Sequence, residues 1–129
     1  GKMSEKPVHV MYVDPNPNNR RLVKRELEYL GYIVHEIENG PELMASVNLA
    51  SMSGIDLLLA NPTGPFLSPT ETLDRIREVY QNQFKIVALT GDITNISEHR
   101  ATKFLGYDGY IPLPIGENFA EQVESYLHN

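Results

Sequence analysis

Cysteine and tryptophan are both absent from the 129 residues, and no apolar run is long enough for a membrane-crossing helix. Without cysteine there is no disulfide framework, which suits a reducing compartment such as the cytoplasm. A helical span takes roughly 20 consecutive apolar residues. The N-terminus also lacks the charged-then-apolar pattern of a signal segment, so no membrane partner is expected. Positive charge is in short supply as well. The chain has 11 Lys and Arg against 17 Asp and Glu, a net charge of −6, and this argues against nucleic acid, which normally needs a basic face to displace counterions. Neither G-x-x-x-x-G-K-[ST] nor G-x-G-x-x-G occurs, so the usual phosphate-cradling loops of enzymes are missing. What is present is ordinary: 41% hydrophobic and 22% charged residues in a length typical of one domain. Residues 1–7 read as a tag or N-terminal extension, with Gly1 and Lys2 before Met3 as an expression scar, and residues 8–129 as the domain.

Apolar runs alternate with helical patterns along the whole chain, the signature of a parallel sheet covered by helices on both faces. Strands are expected at Val8–Val13, Tyr32–Ile37, Ile55–Ala60, Lys85–Thr90 and Asp108–Ile111, with helices in the gaps. Asn16 and Pro17 suit the cap and first turn of a helix that carries Val23, Leu27 and Leu30 on one stripe. Its other face holds Arg20, Arg21, Lys24, Arg25 and Glu28, read as a solvated surface with a docking patch as the alternative. Ser68, Pro69 and Glu71 form a capping box for a helix with Leu73, Ile76 and Tyr80 inward. Phe119, Val123, Tyr126 and Leu127 share a face of the last helix. Leu-Gly-Tyr occurs at 30–32 and 105–107, where a left-handed glycine can end a helix. The second strand alternates, with Tyr32, Val34 and Glu36 outward, and reads as an edge. His35 on it is expected to be structural, since no second histidine or cysteine stands at a metal-like spacing.

In a doubly wound sheet, chemistry gathers beyond the carboxyl ends of the strands. Those ends supply Asp14-Pro15-Asn16, Asn61-Pro62-Thr63-Gly64, Thr90-Gly91-Asp92 and Pro112-Leu113-Pro114, a polar set short of carboxylates. The turn Pro62-Thr63-Gly64-Pro65 is a poor anion cradle because its two prolines lack backbone donors. Asp92 and Asp108 have no metal or base partner in the pattern and are weak candidates for a phosphoacceptor.

From Val8 to Leu127 the chain resembles the receiver domains of two-component response regulators, in the form found in hybrid histidine kinases. Val13-Asp14-Pro15-Asn16-Pro17-Asn18-Asn19-Arg20 is similar to the family's V-D-D-N-x-x-N-R, and Leu30-Gly31-Tyr32 with Glu38-Asn39-Gly40 to its L-G-Y…E-N-G. Asp56-Leu57-Leu58-Leu59-Ala60-Asn61 resembles D-L-x-L-M-D, Ala88-Leu89-Thr90-Gly91 resembles A-L-T-A, and Gly109-Tyr110-Ile111-Pro112-Leu113-Pro114-Ile115 resembles D-Y-L-x-K-P-I. The resemblance implies an α/β, flavodoxin-like, doubly wound sheet of five parallel strands in order 2-1-3-4-5 with five helices.

It also implies a pocket, and here the chain departs from the family. The nucleophilic aspartate corresponds to Asn61, the Mg²⁺-holding acidic pair to Asp14 and Pro15, and the phosphoryl-contacting lysine to Leu113. An amide is not a carboxylate nucleophile, a lone carboxylate beside proline is a poor Mg²⁺ site, and leucine offers apolar surface where a cation is needed. Thr90 and Tyr110 resemble the hydroxyl and aromatic pair that couples the family's site to its output face, or else serve as a strand-end cap and a half-buried aromatic. The expected function is a phosphorylation-independent pseudo-receiver, not an enzyme and without a cofactor. It would act through a protein partner or a neighbouring domain of a histidine kinase. The expected contact face comprises the helix before the fifth strand, that strand and the last helix, with His99, Lys103, Tyr107 and Tyr110 exposed on it. A sensor of a nucleotide or cyclic dinucleotide is the alternative, and a small flavin-binding protein of the same architecture a third reading.

Overall fold

Alternating short apolar strands and amphipathic helices can bury their apolar sides only by stacking helices on both faces of one sheet. The computed structural model describes residues 6–48, 53–61, 69–91 and 106–127 and has that arrangement. In chain order the elements are β1 (His9–Val13), α1 (Pro17–Tyr29), β2 (Ile33–Ile37), α2 (Gly40–Asn48), β3 (Leu57–Ala60), α3 (Pro69–Tyr80), β4 (Lys85–Thr90), β5 (Gly109–Pro112) and α4 (Phe119–Ser125). All four strand pairings are parallel, in the order β2-β1-β3-β4-β5. The fold class is therefore the expected one. Four of the five expected helices lie among the described residues, and the fifth, between β4 and β5, falls on residues outside them.

Two apolar layers sandwich the sheet. On one face Met11, Val13, Leu58, Ala60, Ile86 and Ala88 meet Leu43 and Val47 of α2 and Leu73, Ile76 and Tyr80 of α3. On the other, Val10, Tyr12, Leu57, Leu59, Val87, Leu89 and Ile111 meet Val23 and Leu27 of α1 and Phe119 and Val123 of α4. Strands β3 and β4 carry near-continuous apolar runs because both of their faces are covered.

Local chemistry sets the helix ends. Asn16 caps α1, its side-chain oxygen accepting from the N–H groups of Asn18 and Asn19, and Pro17 fills the first turn, where a missing N–H costs nothing. At the other end Gly31 has φ 86°, its N–H reaches Glu28 O at 2.9 Å, and the Tyr32 N–H reaches Leu27 O at 3.1 Å. This double back-bond needs a left-handed residue, which glycine adopts without steric cost. Gly106, in the second Leu-Gly-Tyr, has φ 89°.

Three expectations change. Leu30 is the C-cap of α1 and stands half exposed at the end of the stripe begun by Val23 and Leu27. In β2 the sides are reversed: Tyr32 and Val34 pack on the core layer that includes α1, while Ile33 and His35 are exposed. Helix α1 lies over the edge strand on one side, and the opposite face of β2 is uncovered at these two positions. Tyr107, expected on the surface, is 5% exposed within the α2 and α3 layer, and its hydroxyl has no hydrogen-bond partner among the described residues. Burial alone pushes its pKa up.

The parallel register also pairs two rings that lie far apart in sequence. Met11 aligns with His35, so His9 and His35 stand diagonally on one face, with Nδ1 and Nε2 2.9 Å apart and the rings stacked. The His9 backbone N–H donates to Asp56 Oδ2, the carboxylate nearest the pair in the hydrogen-bond pattern. Desolvation, then the neighbouring His9, lowers the pKa of His35. The unfolded chain therefore takes up this proton more readily, and the contribution to stability is present above the ordinary histidine range and lost as pH falls toward the lowered folded value. Denaturant titrations between about pH 7.5 and about pH 5.5 are expected to show stability falling with acid, and less steeply in His35→Gln. Equal slopes for both proteins would remove the histidine pair from the account.

Candidate functional site

Three strand ends bring the pocket residues together. Asp14 follows β1 and is fully buried, Asn61 follows β3 and is 6% exposed, and Leu113 follows β5, half-buried, with its N–H on Thr90 O at 2.8 Å. The backbone N–H of Asn61 donates to Val13 O at 2.8 Å, so β1 and β3 hold the two polar side chains side by side. A depression of about 470 Å³ opens above them, lined by Asn19, Leu22, Val23, Asn61, Gly91, Leu113 and Pro114. Pro15 is exposed. Thr90 ends β4 with partial burial, and Tyr110 packs against the α2 and α3 layer.

Four protein donors bond to the Asp14 carboxylate, three of them to one oxygen. Oδ1 accepts from the Asn16 N–H at 2.8 Å. Oδ2 accepts from Asn61 Nδ2 at 3.1 Å, from Asn19 Nδ2 at 3.2 Å and from the Tyr12 hydroxyl in a short contact. Arg20 donates to the Asp14 carbonyl oxygen at 2.6 Å and also lies 3.7 Å from Glu36, which brings a guanidinium beside the buried anion. Burial, then the hydrogen bond to Asp14 and the charge of Asp14, push the Tyr12 pKa up, with Arg20 opposing, so the phenol stays protonated and remains a donor. Charge-assisted bonds of this kind are the strong ones, and a buried carboxylate without them would be very costly.

Mg²⁺ asks for an octahedral shell of hard oxygens at close range. These residues do not suit it. Among the described residues the pocket has one carboxylate, four protein donors bond to it, Pro15 has no side-chain oxygen, and Asn61 turns its amide nitrogen toward Asp14. No group of three or more His, Cys, Asp or Glu able to hold a metal occurs among the described residues. Asn61 cannot form an acyl phosphate, and Leu113 gives the depression apolar surface where the resemblance implies a lysine.

Of the expected contact face, His99 and Lys103 lie outside the described residues, Tyr107 is buried as noted, and Tyr110 is half-buried. The Tyr126 hydroxyl donates to the Tyr110 carbonyl at 3.4 Å, and a depression of about 310 Å³ runs beside them along Pro112, Gln122 and Ser125. The turn residues 62–65 and Asp92 also lie outside the described residues, while Asp108 is tied structurally to Arg77 at 3.0 Å and to the Ile86 N–H at 2.7 Å. The basic side of α1 lines a groove of about 440 Å³ in which Glu36 pairs with Lys24 at 3.1 Å.

Sequence reasoning missed Tyr12 and the roles of Asn19 and Arg20 around Asp14. The signal for Tyr12 was its position two residues before Asp14 on a strand, which puts both side chains on one face. Tyr12→Phe removes one donor from a buried anion and is expected to destabilise the fold by about 1–3 kcal/mol, measured by urea unfolding. A change within about 0.5 kcal/mol would show that the short contact carries no weight.

No protein-family model matches the chain. Over 125 residues, 94% of this chain, it is 33% identical to the sensor protein GacS of Pseudomonas syringae pv. syringae, and it spans 13% of the length of that curated relative. The receiver domain of sensor histidine kinase PA1611 from Pseudomonas aeruginosa, solved with magnesium coordinated in its active-site cleft, superposes with a TM-score of 0.78 at 20% identity. That match covers 96% of this chain and 100% of that one. The Saccharomyces cerevisiae receiver domain of Ssk1, crystallised with the histidine phosphotransfer protein Ypd1, gives 0.76 at 20% identity, covering 94% and 89%. With the expected strand order and homology to the receiver region of a hybrid sensor kinase, the chain belongs to the receiver domains of two-component systems.

Proposed function

We propose that this receiver domain works without a phosphoryl switch, as a cytoplasmic pseudo-receiver that binds a protein partner or a neighbouring domain in a histidine-kinase pathway and has no enzymatic activity of its own. The observation that carries this reading is the Asp14 carboxylate, held by Tyr12, Asn16, Asn19 and Asn61 where a live pocket needs open oxygens for a metal. Phosphoryl transfer depends on a nucleophile in line with the donor and on cations that offset charge on the transferring oxygens. Here the nucleophile position is an amide, the second metal-binding carboxylate is proline, and the lysine is leucine.

A domain with no covalent switch has no phosphorylation-linked term to bias between two conformations. Its partner would meet one state. The similar structures lend the partner class: Ssk1's receiver is seen with Ypd1, and the GacS relative is a sensor protein in which a segment of this size is one part. Around the half-buried Tyr110, the depression beside Pro112, Gln122 and Ser125 is the contact face this reading favours.

Incubation with acetyl phosphate and Mg²⁺ is expected to leave the intact mass unchanged. Asn61→Asp alone is expected to label far more slowly than Asn61→Asp combined with Pro15→Asp and Leu113→Lys, because a lone new carboxylate beside Asp14 has neither metal nor lysine to offset like charge. A one-phosphate adduct on the unmodified chain, mapped to the Asp14 and Asn61 pocket, would overturn the proposal. Equal labelling of the single and triple variants would show that one residue alone keeps the pocket silent.

A further inference from the structure

Charge is laid out unevenly on the layer formed by α1 and α4. Both helices pack on the same face of the sheet, through Val23 and Leu27 on one and Phe119 and Val123 on the other, so their outer rows face solvent in the same direction. Four of the chain's 11 Lys and Arg fall within Arg20–Arg25. Arg20 and Lys24 turn to Glu36, but Arg21 and Arg25, one helical turn apart and opposite the buried stripe, have no carboxylate within ion-pair distance among the described residues. The helix dipole does not explain them, because cations are favoured in the last turn of a helix and α1 has none there. Arg21 also donates to Asn18 Oδ1 at 3.2 Å, and beside the two arginines on the same solvent side stand Glu28, which leaves the row net positive, Leu22, 37% exposed, and Tyr29, 88% exposed. On α4 the row opposite the buried residues is acidic: Glu121 and Glu124 are exposed, with Glu117 just before the helix.

We infer that this layer is a self-complementary interface for a second copy of the chain, the Arg21 and Arg25 row of each α1 meeting the Glu121 and Glu124 row of the other copy's α4. A two-fold axis running between the two helices, roughly along them, places α1 over the partner copy's α4 and α4 over its α1 in one operation. Such an isologous contact closes at two copies and does not propagate. The steps along the rows are similar, about 6 Å for an i, i+4 pair and about 4.5 Å for an i, i+3 pair. Leu22 and Tyr29 supply the apolar surface that ion pairs in water do not, since exposed pairs contribute little by themselves. The inference stands on the charge layout and the exposed Leu22 and Tyr29, and holds whether or not the pocket accepts a phosphoryl group, so it goes beyond the proposed function.

The test is sedimentation equilibrium of the chain without phosphodonor, in low and high salt. Low salt is expected to favour dimer, and high salt to weaken it by screening. Arg21→Glu with Arg25→Glu is expected to weaken self-association at least tenfold, and so is Glu121→Lys with Glu124→Lys, each variant keeping the parent circular dichroism spectrum. Mixing the two variants is expected to restore a dimer, because both contacts in the mixed pair again join opposite charges. A monomer at all concentrations in low salt, a dimer indifferent to both pairs of substitutions, or folded variants that fail to rescue each other would each overturn the inference.

Discussion

A single buried carboxylate organises the functional end of this domain. Asp14 is fully buried, and an anion in that position persists only if nearly every lone pair is met by a donor. Four groups meet it, from the preceding strand (Tyr12), the helix cap (Asn16), the first turn of α1 (Asn19) and the end of β3 (Asn61). Because these donors come from separate elements, satisfying one charge fixes the relation of β1, α1 and β3. The arrangement rigidifies the strand ends, and the same donors compete with any cation for the same oxygens.

Helix α1 faces in two directions at once. Its start serves the pocket: Asn16 caps the helix and Arg20 holds the Asp14 carbonyl. Its buried stripe, Val23 and Leu27, anchors it to the sheet, and Glu36 of the edge strand gathers Arg20 and Lys24. Arg21, Leu22, Arg25, Glu28 and Tyr29 are left to the solvent, so the helix that supports the pocket also carries an exposed surface suited to recognition. In the proposed reading the domain contributes shape and charge to an assembly, and the pocket has become part of the scaffold.

Much of this was legible because the signals were local. Asn16 before Pro17, glycine in Leu-Gly-Tyr and the continuous apolar run Ile86–Leu89 are short-range signals and appear where the sequence puts them. What escaped depends on register or packing. His9 and His35 are 26 residues apart and meet only because Met11 pairs with His35. Tyr107 lies in a polar-looking stretch before β5, yet the α2 and α3 layer encloses it, leaving its hydroxyl without a partner among the described residues. The reversed sides of β2 follow from α1 lying over one face of an edge strand, which alternation alone cannot orient. At the pocket, the departures at Pro15, Asn61 and Leu113 from the pattern that the resemblance implies could be read in the sequence, whereas the donors around Asp14 needed the fold to bring Asn19 and Asn61 to one oxygen.

The account stands or falls on whether the Asp14 oxygens are open to a metal. The direct measurement is an NMR titration with Mg²⁺ to about 20 mM, following the side-chain amides of Asn19 and Asn61 and the backbone amide of Asn16. The closed arrangement predicts that these resonances stay in place apart from the small, unsaturating drift of added salt. Saturable shifts confined to them would contradict it, because a cation would then have displaced the donors that hold Asp14.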